Sequence, residues 1–179
     1  AGPEVFLPDA SAIGAEKAKL CAAAGFEGCF PLDNALDLTG LDKVAQAQRI
    51  ALANEALMRS CDLLIANLTP FRGASMDSGT AFEVGFMRAL GRPVFGYTNV
   101  APDYADRARA WRGVARGLPD CDAADVEIED FGLAENLMIE IAIEASGSRL
   151  LRHAAPAGHE MTDLTAFRAC LSEARRLLG

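Results

Sequence analysis

From Lys43 to Ser60, in KVAQAQRIALANEALMRS, Val44, Ala47, Ile50, Ala51, Asn54, Leu57 and Met58 recur at close to helical spacing, which predicts a helix with this face turned inward. Asn54 falls on that face, where its amide needs partners. The pattern then changes to a continuous apolar run, DLLIANL, and after a further helix ending at Gly91 to a second one, PVFGYTN. Uninterrupted runs of this length predict parallel strands covered on both faces. Upstream, the chain reads as a glycine-containing turn, a helix from Ser11 to Ala24 stopped by Gly25, a short strand in GFEGCFPL, and a polar loop in PLDNALDLTGLD. Downstream, residues 101 to 130 form a long, partly helical excursion. NLMIEIAIEA is a helix, and MTDLTAFRACLSEARRLL is a closing amphipathic helix capped at Thr162 or nearby.

Strands alternating with helices imply right-handed crossovers and one mostly parallel sheet, doubly wound, with helices on both faces. A length of 179 residues suits a single domain spanning 1–179. Such a domain ordinarily opens with a strand, whereas this chain opens at AGPEVF, so a strand ahead of Ala1 is expected. Ligands of these folds collect at the carboxyl ends of the strands, which directs attention to the loop and helix after DLLIANL.

There the sequence runs MDSGTAFEVGFMRALGRP, almost wholly apolar between Gly79 and Arg88 except for Glu83. TAFE matches a capping box, with Thr80 and Glu83 exchanging hydrogen bonds; Asp77 or Ser78 are alternative caps. A carboxylate in the first turn of a helix at the ligand edge, walled by Phe82, Val84, Phe86 and Met87, is equally a desolvated nucleophile. Asp77, six residues earlier, is a second acid suited to a ligand hydroxyl. The loop TPFRGASMDSG has neither GxGxxG nor GxxxxGK[ST], and Asp77 at its mouth repels a phosphate dianion, so a hydroxylated, uncharged ligand fits the charge better.

Composition removes other classes. A net charge of -8 argues against a nucleic-acid binder. The basic cluster Arg107, Arg109, Arg112 and Arg116 reads as a solvated helix face. Five cysteines (Cys21, Cys29, Cys61, Cys121, Cys170), odd in number and without metal-ligand spacing, suit reduced thiols in a cytoplasmic protein without structural zinc. His153 and His159 read as residues of a solvated loop. No apolar stretch has the length of about 20 residues that a membrane span needs.

AGPEVFLPDA, CDLLIANLTPFRGASMDSGTAFEVGFMRALGRPV and EDFGLAENLM, in that order, resemble the nucleoside 2-deoxyribosyltransferases. The resemblance implies a flavodoxin-like α/β fold and transfer of 2-deoxyribose from one nucleobase to another, without cofactor, through a covalent glycosyl-enzyme. Deoxyribonucleoside and free nucleobase are then the partners. Glu83 matches the nucleophile of the GTAFE motif that Gly79 opens, Gly79 counting among the substrate-binding residues. Asp77 matches the acid that holds the sugar 5′-hydroxyl; related 2′-deoxynucleoside 5′-monophosphate N-hydrolases carry a phosphate-binding serine there. Asn136 and Met138 match residues that reach a neighbouring subunit's active site, Asn136 counting among the catalytic residues near the sugar hydroxyl and nucleophile, which implies a homo-oligomer with shared sites. Phe6 matches an aromatic that stacks on the base. Two departures stand out: a tyrosine of the strand before AGP has no counterpart in this sequence, and Asn54 stands where several members have an aspartate that protonates the leaving base. An N-hydrolase and an inactive nucleoside-binding module are the alternatives.

Overall fold

The computed structural model describes residues 1–33, 36–115 and 127–179, with backbone only for 113–115. Cys121, Arg116 and the middle of the 101–130 excursion therefore lie outside the described residues. The elements are a 3-10 turn at Pro3–Phe6, α1 (Ala10–Ala23), a 3-10 turn at Pro31–Asp33, α2 (Lys43–Ser60), β1 (Leu64–Asn67), α3 (Ser78–Ala89), β2 (Val94–Thr98), α4 (Tyr104–Ala115), α5 (Leu137–Glu144), β3 (Leu150–Arg152) and α6 (Thr165–Leu178). The strands form one parallel sheet in the order β1-β2-β3, with Leu64 opposite Val94 and Gly96 opposite Leu150. This is the α/β architecture expected from the sequence.

Strand alternation divides the core in two. Phe95 and Tyr97 of β2 point to one face, where α6 lays down Ala166, Phe167, Cys170, Leu171 and Ala174 at helical spacing beside Cys21 of α1. Val94 and Ala66 point to the other, against Met58, Val84, Met87 and Ile143 of α2, α3 and α5. Gly96 faces α5 so closely that a Cβ there would lie 2.5 Å from Ile143 Cδ1.

Three expectations are corrected. GFEGCFPL is not a strand: a cavity of about 470 Å³ separates it from the outer edge of β1, so it has no ladder to join. On that edge Ala1 takes the neighbouring position, its ammonium donating to Ile65 O at 3.0 Å and its carbonyl accepting from Asn67 N at 2.9 Å. The apolar stripe of α2 is inward only at its C-terminal end. Met58 is buried, but Val44, Ala47, Ile50 and Ala51 are exposed, because α2 packs on α3 through its C-terminal end, where Met58 joins Val84 and Met87. The last helix begins at Thr165, close to Thr162 as expected, with Leu164 as its N-cap and Asp163 accepting from its first N–H at 2.7 Å. His153 is half-buried, 3.6 Å from Asp163.

The N-terminal turn is tied to everything else by one buried carboxylate. Glu4, 1% exposed, accepts on Oε1 from Lys17 of α1, from Asn67 Nδ2 of β1 at 2.8 Å and from the Tyr97 hydroxyl of β2 at 3.1 Å. Its Oε2 lies against Gly2, where any side chain would collide with it at 2.0 Å. Burial alone would raise the Glu4 pKa, but the Lys17 charge and the hydrogen bonds from Lys17 and Asn67 outweigh it and hold the group below the ordinary glutamate value. A depressed acid contributes stability above its unfolded pKa and loses it as pH falls through the folded one. Glu4→Gln, which leaves Lys17 buried without its anion, is expected to cost about 3 kcal/mol at pH 7. In urea melts the gap from wild type should narrow below pH 4.5; a gap independent of pH would show that the charge is not what holds the turn.

Candidate active site

β1 ends at Asn67, whose side chain shapes the exit: its Oδ1 accepts from Thr69 N at 3.0 Å and Thr69 Oγ at 2.6 Å. The chain then crosses the carboxyl edge of the sheet and enters α3 through Asp77. The cap is Asp77 itself, its Oδ2 accepting from Thr80 N at 3.0 Å and Thr80 Oγ at 3.3 Å. The Thr80–Glu83 capping box is thus not formed. Thr80 donates backwards to the acid three residues ahead of it, and a cap needs non-helical backbone, which Asp77 has (φ -65°, ψ 134°). Two consequences follow. Glu83 is released from capping and has no hydrogen bond among the described residues. Asp77 uses only Oδ2 for the cap, leaving Oδ1 available to a ligand hydroxyl. Gly79 keeps this corner open, since a Cβ there would sit 2.9 Å from Asp77 Oδ2.

Glu83 is half-buried and borders the cavity beside β1 together with Asn54, Ala1, Met58 and Met87. Burial pushes its carboxyl above the ordinary glutamate value, and the negative charge of Asp77 adds to the rise. A partly buried carboxylate with no hydrogen-bond donor among the described residues is less well solvated, and so more reactive toward an electron-poor carbon, than one in water.

The structure thus brings Glu83 and Asn54 to one cavity, with Asp77 near enough to act on Glu83 electrostatically. Phe6, Asp77, Gly79, Asn136 and Met138 do not line that cavity. Phe6 is 53% exposed and stacks on Phe71 with ring centroids 5.3 Å apart, the Arg72 guanidinium covering both rings at 5.0 and 4.6 Å. Asn136 caps α5, accepting from Met138 N at 3.0 Å, and its amide donates to both oxygens of Glu129 at 2.9 Å. Met138 is 71% exposed.

Sequence reasoning missed the groups that hold the loop before Asp77. Arg107, expected on a solvated face, is largely buried and bonded to Glu135, itself 1% exposed. The expectation fails because cluster composition says nothing of where one member of a helix meets a loop. The only available signal was an acid directly preceding Asn136 in ENLM.

At the carboxyl edge of an α/β sheet, then, Glu83 is half-buried with no hydrogen bond among the described residues, and a second acid, Asp77, caps the same helix. The nucleoside 2-deoxyribosyltransferase family model matches residues 1–138, and the chain belongs to that family. It is 34% identical over 163 residues to an uncharacterized Schizosaccharomyces pombe protein, covering 82% of this chain and 76% of that one. Among solved structures it resembles a 2-desoxiribosyltransferase from Leishmania mexicana, with 31% identity, TM-score 0.59, and coverage of 78% of this chain and 81% of that one.

The electrostatics can be tested without any reaction. In a carbon-13 NMR titration the Glu83 side-chain carboxyl should titrate above the ordinary glutamate value, and Asp77→Asn should lower its midpoint by removing a negative charge. A Glu83 midpoint unaffected by that substitution would mean the two acids are electrostatically independent.

Proposed function

We propose that this protein exchanges the nucleobase of 2′-deoxyribonucleosides through a covalent deoxyribosyl-Glu83 intermediate, with retention at C1′. The observation that carries the reading is the Glu83 carboxylate, half-buried, outside the helix cap and without a hydrogen bond among the described residues, in a cavity shared with Asn54. In the first displacement a Glu83 oxygen bonds to C1′ while the C1′–N bond breaks, its electron pair leaving with the base. In the second, a nitrogen of the incoming base attacks C1′, loses its proton, and frees the carboxylate. Two inversions restore the starting configuration, as in retaining glycosidases. The negative charge also stabilises oxocarbenium character at C1′ in both transition states.

Asp77 Oδ1 accepts from the sugar 5′-hydroxyl, and its charge disfavours a 5′-phosphate. Asn54 donates a hydrogen bond to the departing base; an amide gives no proton at neutral pH, so bases that leave as stabilised anions or are protonated by water are the better substrates. Phe6 stacks on the base from the loop edge, and no cofactor takes part.

Asn136 and Met138 serve the site of a second subunit. Both lie outside their own subunit's cavity, and neighbouring α3 and α5 expose Phe82, Met138 and Ile141, at 57%, 71% and 47%. Met138→Glu is expected to shift the sedimentation coefficient to that of a monomer and to lower turnover with it. A fully active monomer would refute sharing.

The primary assay is incubation with deoxyinosine or thymidine, with and without adenine, followed by chromatography. Deoxyadenosine formed only with adenine is the expected product. Free base without a new nucleoside would mean N-glycoside hydrolysis, and binding without base release a nucleoside-binding module. Glu83→Ala should lower turnover by a factor on the order of 10³ or more, while Glu83→Gln keeps substrate binding.

A further inference from the structure

The loop that delivers Asp77 is gripped from outside by a single carboxylate. Glu135 Oε1 accepts from the Ser75 hydroxyl at 2.6 Å and from Asn136 N at 3.0 Å; Oε2 accepts from Met76 N at 3.2 Å and from Arg107 Nη2 at 3.1 Å. Two donors thus come from the residues immediately before Asp77, one from the backbone of Asn136, and one from α4. Arg107 closes the clamp. Its Nε donates to Ala74 O at 2.8 Å, Nη2 to Ala134 O at 2.7 Å and Nη1 to Pro102 O at 2.8 Å. Glu135 is in turn fixed by α5, where Glu140 Oε2 accepts from Ala134 N at 2.6 Å and Glu135 N at 3.2 Å.

A cap alone does not set where Asp77 points, because the segment 71–77 has no regular secondary structure apart from the turn in which Phe71 N donates to Ser75 O at 2.9 Å. Charge-assisted bonds to an acid with every lone pair occupied supply the missing constraint. The same acid bonds the backbone of Asn136, so the two polar residues assigned to the sugar share one anchor.

We infer that Glu135, locked by Arg107, is a positioning residue that orients Asp77 toward the sugar 5′-hydroxyl and so sets selectivity for that hydroxyl. The inference rests on the proposed role of Asp77. It requires that loosening Glu135 lower preference for a 5′-hydroxyl rather than turnover in general.

The test compares wild type, Glu135→Gln, Ser75→Ala and Asp77→Ala on a 2′-deoxynucleoside and its 2′,5′-dideoxy analogue, alongside hydrogen exchange of the Met76 amide. Glu135→Gln is expected to cut the kcat/KM preference for the 5′-hydroxyl about tenfold, toward that of Asp77→Ala, and to speed Met76 exchange by a similar factor. Ser75→Ala, which leaves the ion pair in place, should move both readouts less and in the same direction. An equal loss on both substrates, or a preference unchanged in both Glu135→Gln and Ser75→Ala, would overturn the inference. If wild type acts on neither nucleoside, the proposed function fails on its own, and Met76 exchange still decides the clamp: wild-type exchange rates in both variants would refute it.

Discussion

The Glu4 carboxylate is the constraint on which the N-terminal half of the structure depends. A buried anion is tolerated only when its partners come to it, and here they come from three elements: Lys17 of α1, Asn67 of β1 and Tyr97 of β2. The ammonium of Lys17 also lies over the rings of Tyr97 and Phe167, 5.6 and 4.9 Å from their centroids, extending the tie to α6. Burial and Glu4 together push the Tyr97 phenol well above its ordinary pKa, so it remains a donor. The geometry leaves no room beside Gly2, which is why the chain must pass there as glycine. Phe6 is thereby brought to lie against Phe71, on the loop that leads to Asp77.

Glu135 plays the matching part at the other end of the carboxyl edge. One acid gathers the start of the chain onto the sheet, and the other gathers the loop after β1 onto α4 and α5. Between them Glu83 has no donor of its own among the described residues. Glu135 accepts hydrogen bonds on both oxygens and Glu4 on Oε1 alone, its buried Oε2 having no partner among the described residues, whereas Glu83 accepts none among them.

The fold was legible where apolar patterning and tertiary packing agree: β1 and β2 as continuous apolar runs, α6 as a stripe, α1 ended by Gly25 at φ 87°. It was illegible where an element depends on a partner remote in sequence. GFEGCFPL has strand composition but no strand beside it. The stripe of α2 has helical spacing but only partial cover. Of the site, Glu83 and Asp77 stood out as isolated acids in a short apolar segment, and Asn54 by its place in the helical repeat. Which of Asp77 and Thr80 caps α3 was not decidable, since both residue types cap well and only backbone geometry separates them. Arg107 and Glu135 were hidden because their meaning lies in a contact across 28 residues.

In the proposed reaction Asp77 divides its labour, one oxygen for the helix and the other for the ligand, which separates two kinds of selection at one position. Serine, threonine and asparagine cap a helix nearly as well as aspartate. A change among these residues therefore leaves α3 intact while altering the charge presented to the ligand. Under the proposed role of Asp77, the helix that carries Glu83 is insulated from drift at its own cap, and preference for a neutral or an anionic sugar terminus can change through a single codon without passing through an unfolded ancestor.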